Sequence, residues 1–202
     1  MTFKYVLFDI GNVLVDWNPD NLLKKLLPDA AAIQDFRENA VTHDRILAMD
    51  RGQTWKAQLA EIAADCPQHL ETAKAYRYRW VETISGPIHG TVDIMARLKA
   101  AGYPIYALSN YGVENFEATV KIYPFLDDFD GRVVSGYEGV IKPDPAIYDL
   151  VVQRFSVDPA QTLFIDDRPE NIAAAKACGF RGHLFTDSDA LAQYLAEAGI
   201  LY

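Results

Sequence analysis

Side chains that can do acid–base or metal chemistry are concentrated in four short stretches of this sequence. The stretches read "FDIG", "LSN", "IKPDP" and "FIDD", and each contains or follows the end of an apolar run. The residues of interest within them are Asp9, Gly11, Ser109, Asn110, Lys142, Asp166 and Asp167. Three carboxylates, a hydroxyl, an amide and one lysine form a set that can hold a metal ion and a phosphate.

The chemistry expected of this set follows from its charges. Carboxylates that cluster in a partly dry site repel one another, so they need a cation or a shared proton. Oxygen ligands favour a hard ion, and Mg²⁺ is the usual choice when some water ligands remain. Lys142 adds a point charge for a phosphoryl group, and the Ser109 hydroxyl can donate to phosphate oxygens. Asp9 is then a candidate nucleophile that forms an aspartyl-phosphate, which water hydrolyses.

The elements that must position these residues are short strands and helices in alternation. Apolar runs predict five buried strands, at 5–8, 104–108, 132–135, 162–165 and 182–185. Apolar residues at helical spacing predict helices over 91–101, 145–155 and 169–178. This alternation predicts a parallel sheet with helices on both faces. Ligands of such sheets bind at the carboxyl ends of the strands, where all four stretches lie.

Residues 18–85 interrupt the alternation, because they contain helical patterns and no convincing strand. We therefore predict an α/β fold with a Rossmann-like parallel-sheet core, formed by residues 1–17 and 86–202. A small all-helical cap, residues 18–85, is inserted after the first strand. The alternative is that these helices pack directly into the main core.

Composition limits the partners. The chain has 202 residues, of which 50% are apolar, so it can bury a core of ordinary size. A formal net charge of −9 argues against nucleic acid or an anionic membrane as the main partner. No apolar run approaches the roughly 20 residues that a membrane span needs. Cys66 and Cys178 form no CxxC pair, and no leader pattern is visible, so we expect a reduced, cytoplasmic location and a monomer or homodimer.

Each stretch alone has an ordinary structural explanation, such as a helix cap or a turn, but their joint order resembles a known family. "FDIGNVLVDW", "LSN", "IKPDPAIY" and "FIDDRPEN" resemble the four successive motifs of the haloacid dehalogenase superfamily. Residues 18–85 resemble the helical cap that its phosphatase-like subgroup carries after the first strand. The resemblance covers essentially the whole chain.

The resemblance implies a role for each residue. Asp9 would be the nucleophile, with Lys142 and Ser109 also catalytic. Small phosphorylated metabolites, such as sugar phosphates, would be the substrates. The phosphate ligands would be Ser109, Asn110 and Lys142. Mg²⁺ would be held by Asp9, the main-chain carbonyl of Gly11, Asp166 and Asp167, with Asp167 as a direct ligand and Asp166 acting directly or through water.

Gly11 departs from the pattern of that family. Most of its phosphatases carry a second aspartate at this position, which acts as general acid and then as base. General acid catalysis contributes about 10²–10⁴-fold, so its loss needs an explanation. Three explanations are open: a leaving group that needs little protonation, a substitute acid such as Asp16, or attack on carbon by a metal-independent 2-haloacid dehalogenase.

The adjacent acids Asp166 and Asp167 favour the phosphatase, because added negative charge would repel a haloacid's carboxylate. A catalytically weak binding protein on a hydrolase scaffold is the third hypothesis. Specificity is expected to come from the cap. The candidates to face the cleft are Trp17, His43, Arg45, Asp50 and Arg51.

Overall fold

The structure is a computed structural model that describes residues 3–200. Within this range the chain forms seven strands and eleven α-helices. The strands are β1 (Tyr5–Phe8), β2 (Val15–Trp17), β3 (Ile84–Pro87), β4 (Ile105–Ser109), β5 (Gly131–Val134), β6 (Thr162–Asp166) and β7 (Arg181–Leu184). The helices are α1 (Asp20–Leu26), α2 (Ala30–Asn39), α3 (His43–Asp50), α4 (Trp55–Asp65), α5 (Leu70–Tyr78), α6 (His89–Ala100), α7 (Val113–Ile122), α8 (Ser135–Glu138), α9 (Pro145–Phe155), α10 (Pro169–Ala177) and α11 (Ser188–Glu197).

Five strands form one parallel sheet in the order β5-β4-β1-β6-β7. β1 is the central strand, and Phe8 pairs with Ala107 on one side and Ile165 on the other. Each of these strands lies within one residue of a run predicted from the sequence. The predicted α/β fold class is confirmed.

Helices cover both faces of the sheet, as its apolar strands require. Val6 and Phe8 belong to one buried cluster, which includes side chains of α6, α7 and α11. Leu7 belongs to a second cluster on the opposite face, with side chains of α9 and α10. The predicted helices over 145–155 and 169–178 are α9 and α10. The third, predicted over 91–101, is α6, which begins two residues earlier.

Helices α1 to α5 lie between β2 and β3 and enclose a hydrophobic cluster of their own. Its largest members are Phe36, Trp55, Ile62 and Tyr76. The helical stretch near 30–48 divides into α2 and α3, because the Thr42 side chain caps the second helix by accepting the Arg45 N–H. The extent of the cap domain, 18–85, stays a prediction, and residues 1–2 and 201–202 of the predicted core lie outside the described range.

The expectation that 18–85 contains no strand is wrong at its end. Ile84 and Ser85 begin β3, which pairs antiparallel with β2. The apolar signal there is too short to show an alternation, since a 3₁₀ helix over Trp80–Thr83 precedes it and Gly86, with φ +154°, interrupts it. The resulting two-stranded ribbon connects the sheet to helices α1–α5.

Candidate active site

Asp9 directly follows β1, and its two carboxylate oxygens have different surroundings. Oδ1 accepts hydrogen bonds from the backbone N–H of Ile10 at 2.7 Å and the Ser109 hydroxyl at 2.7 Å. The ammonium of Lys142 lies 3.0 Å from the same oxygen. No hydrogen bond from residues 3–200 reaches Oδ2. Oδ2 is therefore the Asp9 oxygen without a hydrogen-bond partner among the described residues.

Lys142 is the central cation of the site. Its buried Nζ donates to Asp166 Oδ2 at 2.6 Å and to the Leu108 carbonyl at 3.0 Å. Burial opposes the charged form, but attraction to Asp9 and Asp166 outweighs it, so the pKa of Lys142 is raised. The ammonium therefore stays charged and links the ends of β1, β4 and β6.

Asp166 ends β6 and is fully buried, with both oxygens occupied. Oδ1 accepts from the Arg168 backbone N–H at 2.8 Å. The Asn171 amide lies 3.0 Å from Oδ1 and 3.1 Å from Oδ2, and the latter also accepts from Lys142. These bonds hold the carboxylate in one orientation. Asp167 is only half-buried and lines the adjoining cavity, so it is the more accessible of the two acids.

The three acids lie close enough to share one cation. One carboxylate oxygen from each of Asp9, Asp166 and Asp167 lies within 4.8 Å of the other two. Burial, together with the charge of Asp166, raises the pKa of Asp9 to about 7 and raises that of Asp167. Lys142 offsets only one of three negative charges. An all-oxygen set that is short of positive charge fits a hard divalent ion.

Gly11 lines the same cavity, and no neighbour requires a glycine there. A Cβ added at this position would meet no atom within 4 Å. Its backbone also lies outside the left-handed region that favours glycine. The missing second aspartate is therefore not a consequence of limited space.

Asn110, a predicted phosphate ligand, also lines the cavity, but its side chain is occupied. The amide donates to the Lys142 carbonyl at 2.9 Å and accepts from the Lys142 N–H at 2.8 Å. This pair of bonds holds the backbone that carries the lysine. Contact between Asn110 and a phosphate stays a prediction.

Two asparagines that the sequence reasoning missed support the acids. Asn12 has φ +56°, its side-chain oxygen accepts from the Trp17 N–H at 3.1 Å, and its hydrogen bond to Asp167 acts to lower that residue's pKa. The signal was an asparagine directly after Gly11, because asparagine tolerates left-handed backbone better than most residues. Asn171 gave no comparable signal, since its bond to Asp166 depends on how α10 packs.

A cavity of about 280 Å³ lies between the strand ends and the cap. Asp9, Ser109, Lys142 and Asp167 line its polar side. Apolar and aromatic side chains make up half of the remaining lining residues: Trp17, Val41, Ile46, Leu47, Met49, Trp55, Tyr76, Trp80 and Tyr111. The other half includes His43, Asp50, Asn115 and Arg168. The cavity therefore has a charged side at the strand ends and a partly apolar side, and we call the nine apolar and aromatic residues the apolar wall.

Of the five cap candidates, three lie at this cavity. Trp17, His43 and Asp50 line it, whereas Arg45 and Arg51 are not among its lining residues. Arg45 instead pairs with Asp65 at 2.6 Å. Asp16, the suggested substitute acid, is exposed on β2 and does not line the cavity either.

Residues 3–179 match the family of haloacid dehalogenase-like hydrolases. This chain belongs to that family. The resemblance predicted from the four motifs is confirmed, and the protein is a hydrolase. Within residues 3–200 no helix of this hydrolase combines the length and apolar character that a membrane crossing needs.

Curated relatives of this hydrolase include phosphatases. It is 29% identical to a sesquiterpene phosphatase of Aspergillus oryzae, over 97% of this chain and 96% of the relative. It is 26% identical to a D-ribitol-5-phosphate phosphatase of Bacteroides thetaiotaomicron, over 88% and 89%. An (S)-2-haloacid dehalogenase of Burkholderia cepacia matches at 26% identity over 55% of this chain and 49% of the relative. The full-length matches support a phosphatase-type hydrolase.

Solved structures show the same fold. An enzyme of the haloacid dehalogenase family from Bacteroides thetaiotaomicron, in complex with magnesium and inorganic phosphate, matches with a TM-score of 0.74 at 22% identity. The match covers 92% of this chain and 95% of that chain. Magnesium is therefore bound by a protein of this fold.

Proposed function

We propose that this hydrolase is a Mg²⁺-dependent phosphatase that acts on a small phosphorylated metabolite through an aspartyl-phosphate on Asp9. The observation that carries the proposal is the set of three carboxylate oxygens within 4.8 Å of one another beside a single buried lysine. With all three acids ionised, two negative charges would remain without a counter-charge, and a divalent ion would offset them. The same ion would attract a phosphate to an otherwise acidic protein.

Bound Mg²⁺ would neutralise the charge that develops on the transferred phosphoryl oxygens. Its ligands would be Asp9, the Gly11 carbonyl and Asp167. Asp166 would act directly or through water. Its two oxygens already accept four hydrogen bonds from Arg168, Asn171 and Lys142, which favours contact through water.

The protein groups supply the bond changes. Asp9 Oδ2 attacks phosphorus, the bond to the leaving oxygen breaks, and that oxygen takes a proton. Ser109 and Lys142, which lie within 3.0 Å of Asp9 Oδ1, would exchange their bonds to that oxygen for bonds to phosphoryl oxygens. Water then attacks the acyl phosphate, which releases inorganic phosphate and restores the carboxylate.

A metal-independent 2-haloacid dehalogenase is the alternative with the same nucleophile. Its substrate would bring a carboxylate into a site that already holds three carboxylates and one lysine. This excess of negative charge favours a phosphate held through a divalent ion over a free haloacid. A weak binding role would make no use of Asp9 Oδ2, the oxygen that has no hydrogen-bond partner among the described residues.

We propose that the organic part of the substrate is apolar or planar. Large aromatic and aliphatic side chains, among them Trp17, Ile46 and Trp80, line much of the cavity and would pack against such a group. The similarity to a sesquiterpene phosphatase over nearly the whole chain supports this choice. The similarity to a D-ribitol-5-phosphate phosphatase supports the sugar phosphate predicted from the sequence instead.

The decisive experiment is a panel of prenyl, aryl, acyl and sugar phosphates together with 2-chloropropionate, each assayed with Mg²⁺ and with EDTA. We expect phosphate release that stops with the chelator, and faster release from prenyl and aryl phosphates than from sugar phosphates. Chloride release that is indifferent to EDTA would establish the dehalogenase. No product from any compound would support the binding role.

We also propose a cytoplasmic monomer or homodimer with no nucleic-acid or membrane partner. This proposal rests on the net charge of −9 and on the unpaired cysteines. Size-exclusion chromatography with light scattering tests the oligomeric state.

A further inference from the structure

We propose that Asp50, a cap residue, donates the proton to the leaving oxygen and then accepts one from the attacking water. It would thus do from the cap what a second aspartate at position 11 would do from the core. This inference rests on the proposed phosphatase function. It concerns only the proton donor, so it can fail while that function stands.

Asp50 lies where a proton donor to the leaving oxygen could act. Asp50 is the last residue of α3 and lines the same cavity as Asp9. The turn that carries it lies directly against the core: a Cβ on Gly112 would come within 3.3 Å of the Met49 carbonyl. A Cβ on Gly52, where φ is +96°, would come within 2.6 Å of the Gly136 carbonyl. These close approaches place the backbone of this turn at the boundary between cap and core, where the Asp50 carboxyl accepts a hydrogen bond from the Gly112 N–H.

The second support is the set of other groups that face the cavity. Asp9 and Asp167 are candidate metal ligands, and Lys142 is engaged by two carboxylates. Arg168 cannot give up a proton. His43 is exposed at the start of α3. Among the carboxyl groups lining the cavity, this leaves Asp50 as the one with no other function.

The third support is the local electrostatics. Burial raises the pKa of Asp50 to about 6, although Lys142, the Gly112 N–H and Arg51 act in the opposite direction. Below this pKa the carboxyl is protonated, and near neutral pH about a tenth of it still is. A group with a pKa near the working pH is suited to give and take a proton in one catalytic cycle.

The proton transfers balance. As the bond from phosphorus to the leaving oxygen breaks, the Asp50 proton moves to that oxygen, and Asp50 becomes a carboxylate. When water attacks the aspartyl-phosphate, the carboxylate takes one of its protons. Phosphate leaves, Asp9 is restored and Asp50 is again neutral.

The test compares leaving groups in Asp50→Asn. Asparagine keeps an oxygen that can accept from the Gly112 N–H but cannot give a proton as an acid. The readout is the burst rate of enzyme phosphorylation, because loss of the base would slow the shared second step for every substrate. We expect a loss of about 10²-fold with an alkyl monophosphate and a loss below about threefold with acetyl phosphate, whose leaving group needs no proton.

Asp16→Asn is the matched control, since Asp16 is exposed and does not line the cavity. It should change neither rate. Adding Gly11→Asp to Asp50→Asn should restore much of the alkyl-phosphate rate, because the space beside Gly11 is open. A merely structural role of Asp50 would not be rescued from that position.

Equal losses on both substrates without rescue, or no loss on either, would overturn the assignment of Asp50 and leave the phosphatase intact. Failure of the wild-type protein to release phosphate from any compound would overturn the phosphatase and, with it, this inference.

Discussion

The two sides of the cavity are built on different principles. On the sheet side, Asp9 follows β1, Asp166 ends β6, and Lys142, from the loop between α8 and α9, pairs with both. On the cap side, most lining residues are apolar and come from α3 and neighbouring segments. In the proposed function the sheet side supplies the reacting groups, whereas the cap side contacts the rest of the substrate. The proposal therefore assigns the reaction type and the substrate choice to different parts of the molecule.

This difference has an energetic counterpart. Buried charges on the sheet side depend on one another, so removing one leaves the others uncompensated. Side chains of the apolar wall contribute mainly contact area, and loss of one costs a free energy roughly proportional to the apolar area that it buried. Substitutions on the two sides should differ in both size and kind of effect.

The largest effect is expected at Asp9. Asp9→Asn removes the nucleophile and should lower kcat by about 10³-fold or more, with no phosphoenzyme detectable after acid quench. Steady-state phosphate release and mass spectrometry measure the two quantities. Asp16→Asn is the control, and retention of full activity by Asp9→Asn would remove Asp9 from the mechanism.

Lys142→Met should mainly destabilise the sheet side. Breaking a buried ion pair by removing one partner costs about 3–5 kcal/mol, because Asp9 and Asp166 stay buried without their cation. Urea unfolding gives the change in the free energy of unfolding. Lys121→Met, on an exposed position of α7, should stay within about 0.5 kcal/mol of the wild type. Equal stability of the two variants would contradict the buried-charge account.

Loss of a contact between the cap and the core should have an intermediate effect on the free energy of unfolding. The indole N–H of Trp55, in the cap, donates to the buried Asn115 of α7 at 2.7 Å. Asn115→Ala leaves that N–H without its partner and should cost about 1–3 kcal/mol in the free energy of unfolding. Glu117→Ala, on the exposed side of α7, is the control. A cost as small as that of the control would mean that this bond does not hold the cap.

The smallest effect is expected on the apolar wall. Ile46 lines the cavity and is 36% exposed, so Ile46→Ser should leave folding intact. Loss of about 1 kcal/mol of apolar contact predicts a roughly fivefold higher KM for a prenyl phosphate and an unchanged KM for acetyl phosphate. If KM rose equally for both substrates, the wall would not be contacting the organic part.

The fold could be predicted because its signals are local. Each strand of the sheet is a short apolar run, and each acid stands immediately after one, so parallel topology alone brings Asp9 and Asp166 together. The β2–β3 ribbon was missed because its strands are short and far apart in sequence. Asn171 was missed because its contact with Asp166 depends on helix packing.

The cap shows the same limit. Helical periodicity indicated where apolar faces lie but not what they face. Arg45 and Asp50 occupy the same helix, yet the first pairs with Asp65 and the second lines the cavity. Similarly, the sequence showed that an acid is missing at Gly11 but could not show that the space beside it is open.

By itself, the sequence determined the α/β fold, the family and the residues gathered at the strand ends, because backbone periodicity and strand order specify these. The tertiary structure alone decided three features: the apolar residues that line the cavity, the Asp9 oxygen without a hydrogen-bond partner, and the place of Asp50 at the cavity. Those features depend on how helices pack across the chain, and packing is set by contacts between residues distant in sequence.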